Sequence, residues 1–314
     1  MKIDDLMTNV KSVGIAGHVR PDGDCVGSTL AVYNYISEYY PSVDIHIYLE
    51  TIPSIFGFLK NSDKIEEAKE EKLSFDLFIC CDCRELNRLG NAAHYFTDAT
   101  TTLCVDHHLG EGKYADYEYI IPDDSSTAEL IFDCMEEDKI TKEIAECLYL
   151  GMVHDTGVFQ YTCTSSKTMN VAGKLMDKGI DYSRIIDETY YQKSYKQNLV
   201  LGKALLKSKL YLNDKVILSY ITKEEMEEYG VLPRHLEGIV QQLRNTKEAE
   251  VAIFLYQTDD KGYKVSTRAT GDVNLSLLAN KFGGGGHAKA AGFSIHENPE
   301  SAIPKILAEL EKML

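Results

Sequence analysis

Four groups of acidic and histidine residues in this sequence each follow a short apolar run. The most informative is Asp106-His107-His108, which follows the apolar residues 101–105. The other three are the segment His18 to Asp24 after residues 12–17, Asp82 after residues 75–80, and His154-Asp155 after residues 147–153. The length of the last run leaves open whether it is a helix or a strand. Carboxylate oxygens and imidazole nitrogens suit Mn²⁺, Mg²⁺ or Zn²⁺, so the four groups together predict a dinuclear metal site.

Two metal ions held about 3.5–4 Å apart can generate a hydroxide nucleophile near neutral pH and clamp both oxygens of a phosphoryl transfer. Asp22 and Asp24 lie two residues apart in a loop that contains Gly23, so their side chains can face different ions. Pro21 limits the flexibility of this loop. The residue types therefore favour hydrolysis of a phosphate ester.

The elements that must position these residues are read from the apolar runs. Short runs separated by stretches with helical periodicity indicate βα units and a parallel sheet. Ligands gather at the carboxyl ends of such strands, so groups that are distant in sequence converge there. Each group has a simpler interpretation when taken alone: Asp155, for example, could cap a helix start. The joint appearance of four groups at predicted strand ends favours the metal site.

These motifs resemble those of the DHH phosphoesterase superfamily, and the glycine-rich segment 282–293 resembles the signature of its DHHA1 domain. The two resemblances cover nearly the whole chain. They imply an α/β fold, with an N-terminal DHH domain whose mainly parallel sheet is flanked by helices and a smaller C-terminal α/β DHHA1 domain. The active site is expected in the cleft between them. Within the superfamily, the arrangement resembles the oligoribonuclease (nanoRNase) and pAp phosphatase branch.

The resemblance also implies a role for each residue of the metal site. His18 and Asp22 are expected to bind the first ion, and Asp24, His107 and Asp155 the second. Asp82 is expected to bridge both ions. Asp106 is expected to orient a histidine, and His108 is expected to face the scissile phosphate. Asp82, Asp106 and His108 form the implied catalytic set. The implied cofactor is a pair of divalent ions, preferably Mn²⁺, with Mg²⁺ or Co²⁺ as alternatives.

The C-terminal signature has a physical interpretation of its own. Four consecutive glycines, residues 283–286, remove every Cβ from a loop, so backbone N–H groups can approach a phosphate closely. A neighbouring helix start could reinforce anion binding, and His287 and Lys289 add donors. A hinge or tight turn is the alternative. By resemblance, Arg268 and the loop that contains Gly284, Gly285, Gly286 and His287 bind the terminal phosphate or base of the substrate.

The composition limits the classes of partner and the cellular location that the sequence predicts. The 314 residues carry a net charge of −16, and this acidity argues against a grip on long duplex nucleic acid through many phosphates. Four of the eight cysteines, Cys80, Cys81, Cys104 and Cys147, lie inside apolar segments, which favours buried thiols over disulfides. The sequence shows no export signal and no apolar run of about 18 residues, so it predicts a cytoplasmic protein without a membrane partner. A homodimer is compatible with the sequence.

The predicted domains are residues 1–190, a helical linker over 191–210, and residues 211–314. Residues 162–168 favour a helix N-cap over a phosphate contact. In the second domain, strands are predicted over 216–220, 250–256 and 262–269, with a turn over 259–262 and a final helix over 301–314.

The predicted function is a metal-dependent phosphodiesterase that hydrolyses short oligoribonucleotides or linear dinucleotides such as pApA and pGpG to mononucleotides, with pAp 3′-phosphatase activity as a further expectation. A soluble cyclic di-AMP phosphodiesterase is the alternative within this class. A non-catalytic nucleotide sensor is the alternative of another class, and missing metal ligands would mark it; none is missing here. An inorganic pyrophosphatase is disfavoured by Arg268 and the 283–287 segment, which suit a nucleotide.

Overall fold

The computed structural model describes residues 1–70, 72–108, 110, 112–258 and 262–314. The chain forms two compact units, Met1–Gln192 and Lys193–Leu314. The first three residues of the turn predicted over 259–262 lie outside the described residues. No helix in the described ranges combines the length and apolar character that a membrane span requires.

The first unit is built on one fully parallel sheet, as the sequence predicts. Its strands are β1 Ser12–Ala16, β2 Asp44–Tyr48, β3 Ile65–Glu66, β4 Leu77–Cys81, β5 Thr101–Asp106 and β6 Tyr117–Ile120. They follow the order β3-β2-β1-β4-β5-β6. The three central strands, β1, β4 and β5, are buried along almost their whole length, which explains their continuous apolar sequences.

Helices cover both faces of this sheet. They are α1 Ile3–Leu6, α2 Gly23–Tyr39, α3 Ala93–Thr97, α4 Thr127–Cys134, α5 Lys142–Asp155, α6 Ser166–Asp177 and α7 Tyr182–Ile186. Asp22 caps α2 and Ser165 caps α6, which confirms the N-cap predicted within residues 162–168. Helix α1 is fixed by Asp4, whose carboxylate accepts hydrogen bonds from Lys139 at 2.6 Å and Tyr40 at 2.5 Å. The four cysteines predicted to be buried are all buried free thiols.

One element of the metal motif differs from the prediction. Residues 147–153 belong to helix α5, so His154-Asp155 lies at the end of a helix and the prediction of four strand ends is wrong for this group. The start of the helical linker predicted over 191–210 is not α-helical. A π-helical turn, Asp187–Tyr191, follows α7, and the chain is extended at Gln192. The next helix starts only at Tyr195.

The second unit contains a mixed sheet. Its strands are β7 Lys209–Tyr211, β8 Val216–Ile221, β9 Val251–Gln257, β10 Tyr263–Ala269, β11 Gly285–His287 and β12 Ala290–Ile295. They follow the order β11-β12-β10-β9-β8-β7, and only β8 and β9 run parallel. Its helices are α8 Tyr195–Lys207, α9 Lys223–Tyr229, α10 Ile239–Arg244, α11 Leu275–Lys281 and α12 Pro299–Glu311. Strands β8, β9 and β10 and helix α12 agree closely with the predicted elements.

Candidate active site

The order of the sheet brings the predicted metal ligands together. Strands β1, β4 and β5 are neighbours in the first unit, so their carboxyl ends lie side by side. His18 follows β1, Asp82 follows β4, and the Asp106-His107-His108 motif ends β5. Helix α2 starts at the same edge and adds Asp22 and Asp24, while the end of α5 adds Asp155.

The first half of the site consists of His18, Asp22 and Asp82. His18 Nε2 lies 3.2 Å from Asp82 Oδ2 and 3.7 Å from Asp22 Oδ2. The other ring nitrogen, Nδ1, donates to the carbonyl oxygen of Val19 at 2.9 Å. A carbonyl can only accept, so this bond fixes the orientation of the ring and leaves Nε2 directed at the two carboxylates. The thiol of Cys25 lies within 4.8 Å of ligand atoms of His18 and Asp82, and this donor was not predicted from the sequence.

The second half of the site is centred on His107. Its Nε2 lies 2.8 Å from Asp155 Oδ2, 3.8 Å from Asp82 Oδ1 and 4.0 Å from Asp24 Oδ2. Despite the short distance to Asp155, the directions are wrong for a hydrogen bond, and this buried nitrogen has no hydrogen-bond partner among the described residues. A buried imidazole nitrogen that faces three carboxylates without such a bond is the geometry expected of a metal ligand.

Asp82 connects the two halves. Its Oδ2 faces His18, and its Oδ1 faces His107 and lies 3.5 Å from His108 Nδ1. The side chain is buried, and its Oδ1 also accepts a hydrogen bond from Thr127 Oγ1 at 3.1 Å. Its backbone φ of +56° is rare for a residue with a side chain. Strain of this kind concentrates at functional sites, and here it directs one carboxylate toward both clusters.

The electrostatics of these groups reflect a crowded, buried set of charges. Burial raises the pKa of Asp82 to about 6, and burial together with the neighbouring carboxylates raises the pKa of Asp24. Burial lowers the pKa of His18 and His107, but the adjacent carboxylates outweigh it and raise both values to about 10. Asp22 titrates lower, at about 2: burial raises its pKa, but His18 and two backbone N–H groups outweigh that effect. The site therefore favours bound positive charge.

Asp24 is held by the start of helix α4. Its Oδ2 accepts from the backbone N–H of Thr127 at 2.6 Å, and its Oδ1 accepts from that of Ala128 at 2.9 Å. These contacts were not foreseen from the sequence. The available signal was the spacing of Ser126 and Glu129, which is that of a helix N-cap and its third residue, and Ser126 does cap α4.

His108 differs from the other two histidines of the site. Asp106 Oδ1 accepts from both the backbone N–H and the ring Nδ1 of His108, each at 2.8 Å. The hydrogen bond to Asp106 raises the pKa of His108. The side chain of His108 is 40% exposed, whereas that of His107 is 15% exposed. A proton held at Nδ1 leaves Nε2 of His108 to face a ligand that enters from solvent.

A cluster behind His107 orients its ring. His107 Nδ1 donates to the backbone carbonyl of Asp124 at 3.3 Å. The side chain of Asp124 is in turn held by Lys167 Nζ at 2.5 Å, and the same ammonium lies 2.7 Å from Asp133 and 3.6 Å from the buried Glu129. Lys167, in the first turn of α6, thus connects three carboxylates to a predicted metal ligand. The role of Lys167 was not predicted from the sequence.

The chain that follows Asp155 is also strained. Gly157, Val158 and Phe159 adopt φ values of +56°, +58° and +63° in succession. This conformation is unfavourable for a β-branched residue such as Val158. It is held by a hydrogen bond from Val158 N–H to the carbonyl of Val153 at 2.8 Å. The abrupt turn ends α5 immediately after Asp155, so the carboxylate stands at the end of a rigid helix.

The predicted substrate-binding residues lie in the second unit. Arg268 in β10 and His287 in β11 are both in register with Ala290 of β12, so they share one face of the sheet on either side of a small residue. The glycine run extends from the end of α11 into β11. A Cβ on Gly284 would lie 2.2 Å from the carbonyl oxygen of Gly292, so only glycine allows this close approach of the backbones.

Two expectations for this segment are modified by the structure. The start of α11 does adjoin the segment, but Leu275 N–H donates to the carbonyl of Ala288 at 2.8 Å and is thus already engaged. The ammonium of Lys289 donates to the carbonyl of Gly271 and lies 3.9 Å from Asp272, so it is held within its own unit.

Comparison with known proteins agrees with this geometry. Residues 12–152 match the DHH family, N-terminal domain, and residues 213–314 match the DHHA1 domain. The bifunctional oligoribonuclease and PAP phosphatase NrnA of Bacillus subtilis is 29% identical, covering 94% of this chain and 92% of that protein. The protein of the same name from Thermus thermophilus is 25% identical, covering 90% and 83%.

The fold is also that of a solved structure. An exopolyphosphatase-related protein from Bacteroides fragilis superimposes with a TM-score of 0.90 at 26% identity, covering 98% of this chain and 94% of that one. Sequence motifs, domain matches and fold agree along nearly the whole chain. The chain therefore carries a DHH domain and a DHHA1 domain, the two domains of DHH phosphoesterases, which are metal-dependent phosphoric ester hydrolases.

Proposed function

We propose that the protein is a Mn²⁺-dependent phosphodiesterase that hydrolyses short oligoribonucleotides and linear dinucleotides such as pApA and pGpG to mononucleotides, and that it also removes the 3′-phosphate of pAp. The observation that carries the proposal is the buried Nε2 of His107, which faces Asp24, Asp82 and Asp155 without a hydrogen-bond partner among the described residues. Its relatives of similar length, named as oligoribonuclease and PAP phosphatase, support the choice of substrate.

The donor set fits two divalent ions. His18 and Asp22 would hold one, Asp24, His107 and Asp155 the other, and Asp82 both. Two such ions supply an activated water and neutralise charge on the phosphoryl group. Oxygen and nitrogen donors suit Mn²⁺, and the mixed set matches neither a thiolate zinc site nor an all-oxygen calcium site.

The remaining residues act on the substrate and on protons. Asp106 holds a proton at Nδ1 of His108 and thereby directs Nε2 toward the phosphoryl oxygen, to which it can donate a hydrogen bond. The hydrogen bond to Asp106 raises the pKa of His108, which favours the doubly protonated ring that this donation requires. Thr127 fixes Asp82 through its hydroxyl, and the first N–H groups of α4 fix Asp24. In the second unit, Arg268 and His287 would hold the terminal phosphate or base.

The proposal is tested by incubating the purified protein with Mn²⁺ and a panel of substrates, with products separated by ion-exchange chromatography. The panel contains pAp, pApA, pGpG, cyclic di-AMP, pyrophosphate and RNAs of increasing length. Mononucleotide products from the linear dinucleotides and the short RNAs, with pAp dephosphorylated, are expected. Preferential cleavage of cyclic di-AMP would favour the cyclic-dinucleotide alternative, and binding without cleavage under every metal would favour a sensor.

A further inference from the structure

One face of the second unit's sheet is left open along three neighbouring strands. We call this face the open ledge; it consists of Lys264, Ser266 and Arg268 of β10, Ala290, Gly292 and Ser294 of β12, and Gly285 and His287 of β11. Residues in direct register in antiparallel strands project to the same side, so these eight residues share one face. All eight are partly or fully exposed.

Helices cover the opposite face of these three strands and both faces of the neighbouring strands β8 and β9. The opposite face packs against α11 and α12 through residues such as Val265 and Phe293. On the side of the open ledge, α8, α9 and α10 cover the neighbouring strands β8 and β9, where Phe254 is buried. The cover does not extend across β12 and β11. The side chains at Ala290, Gly292 and Gly285 on this uncovered surface are no larger than a methyl group. A ligand can therefore approach the sheet backbone closely.

The charge of the open ledge differs from that of the chain as a whole. The chain has 49 acidic and 33 basic residues, yet none of the eight ledge residues is acidic. Arg268 and Lys264 lie four residues apart on the same strand, which separates their backbones by about 13 Å. Lys264 has no ion-pair partner among the described residues. At its end, the ledge continues into an open groove that is also lined by Gly283, Gly284 and His296.

We propose that the open ledge binds the phosphodiester backbone of an RNA longer than a dinucleotide, with Lys264 contacting a phosphate beyond the nucleotide held at Arg268 and His287. This inference rests on the proposed function and assigns it a second anion subsite. A groove of positive charge that follows an extended backbone is the usual basis of single-strand binding. The distance of about 13 Å between the backbones of Lys264 and Arg268 is longer than one nucleotide spans and suits an extended strand. The subsite therefore serves only the longer substrates.

The test compares substrate lengths in the Mn²⁺-loaded protein. We expect Lys264→Gln to lower kcat/KM for a tetranucleotide RNA about tenfold, because a charge-assisted hydrogen bond is lost, and to leave kcat/KM for pApA within about twofold. The salt dependence gives a second measurement. Loss of one phosphate contact makes the slope of log kcat/KM against log salt less steep by about 0.7 for the tetranucleotide.

Three further variants complete the experiment. Lys264→Arg keeps the charge and is expected to preserve the preference for the tetranucleotide over pApA. Ser294→Glu places a carboxylate in register with Lys264 and should reduce that preference. Lys209→Gln removes an exposed lysine from β7, at the opposite edge of the sheet, and should leave kcat/KM unchanged for both substrates.

The outcomes separate two failures. Equal losses on both substrates, or no loss on either, in the Lys264→Gln protein would overturn the subsite while the proposed function stands. A wild-type protein that cleaves neither substrate would instead overturn the proposed function, and the subsite with it.

Discussion

Replacing Lys167 by methionine should weaken metal binding at a distance. The ammonium of Lys167 bridges Asp124 at 2.5 Å and Asp133 at 2.7 Å, and the carbonyl of Asp124 accepts the hydrogen bond that orients His107. Methionine keeps most of the length of the side chain but removes the charge. The carboxylates of Asp124, Asp133 and the fully buried Glu129 then face one another without a cation.

The structure sets the expected magnitudes. Loss of one member of a buried charge network costs about 3–5 kcal/mol, and because 39% of the Lys167 side chain is exposed, about 1–3 kcal/mol of unfolding free energy is the appropriate range. Loss of a group that orients a metal ligand lowers metal affinity by about 10- to 100-fold. We therefore expect Lys167→Met to bind Mn²⁺ at least tenfold more weakly at the His107 half of the site.

Isothermal titration of Mn²⁺ into the folded variants measures this effect, and denaturant unfolding measures stability separately. Lys174→Met is the matched control, because Lys174 lies in the same helix and forms an exposed pair with Glu137 at 2.7 Å that does not contact the site. The Lys174→Met protein should lose less than about 1 kcal/mol of unfolding free energy and should bind Mn²⁺ as tightly as the wild type. Lys167→Arg should restore most of the affinity. Wild-type Mn²⁺ affinity in folded Lys167→Met protein would refute the positioning role.

Three other perturbations have distinct expected results. Asp82→Ala should abolish turnover of every substrate, whereas Arg268→Ala should mainly raise KM; equal kcat losses in steady-state assays would contradict this division. Asp4→Asn should lower the unfolding free energy by about 1–3 kcal/mol at neutral pH. Burial raises the pKa of Asp4, but its hydrogen bonds lower it below 3.8, so its contribution is complete at neutral pH and is lost as the pH falls through that lowered pKa. Urea unfolding at neutral and acid pH should therefore give a difference that disappears in acid. Gly284→Ala should cost about 1–3 kcal/mol because its Cβ meets the Gly292 carbonyl, whereas Gly285→Ala, with no atom within 4 Å of the added Cβ, should be close to wild type in the same unfolding assay.

The sequence was sufficient to predict the parts of the site that follow buried strands. Strands β1, β4 and β5 have largely apolar sequences because both of their faces are buried, and a polar residue of the site ends each strand or follows it within two residues. His18, Asp82 and His107 could therefore be assigned to one edge of a parallel sheet. The assignment of ligands to particular ions came from the family resemblance and stays a prediction, as does the expectation of an active site between the two domains.

Helix α5 shows why the fourth group was misplaced. Residues 147–153 are all buried, because α5 packs against α2, α4 and α6. A helix that is buried on every side has no polar face, so its sequence lacks the 3.6-residue alternation that distinguishes an amphipathic helix from a strand. The His154-Asp155 dipeptide could be recognised as a motif, but the element before it could not be identified from the run alone.

The contacts that fix the ligands depend on tertiary structure to a greater degree. Thr127 lies 103 residues after Asp24, and no local pattern connects a helix start to a carboxylate so distant in sequence. Yet these N–H groups, together with Lys167 behind His107, hold the donors of the second half of the site in place. Helices α4 and α6 contribute none of the predicted metal ligands, but they set the positions of Asp24 and His107. A converging set of carboxylates would otherwise separate by charge repulsion, and bonds to backbone N–H groups and to a lysine outside the site oppose that repulsion before any cation binds.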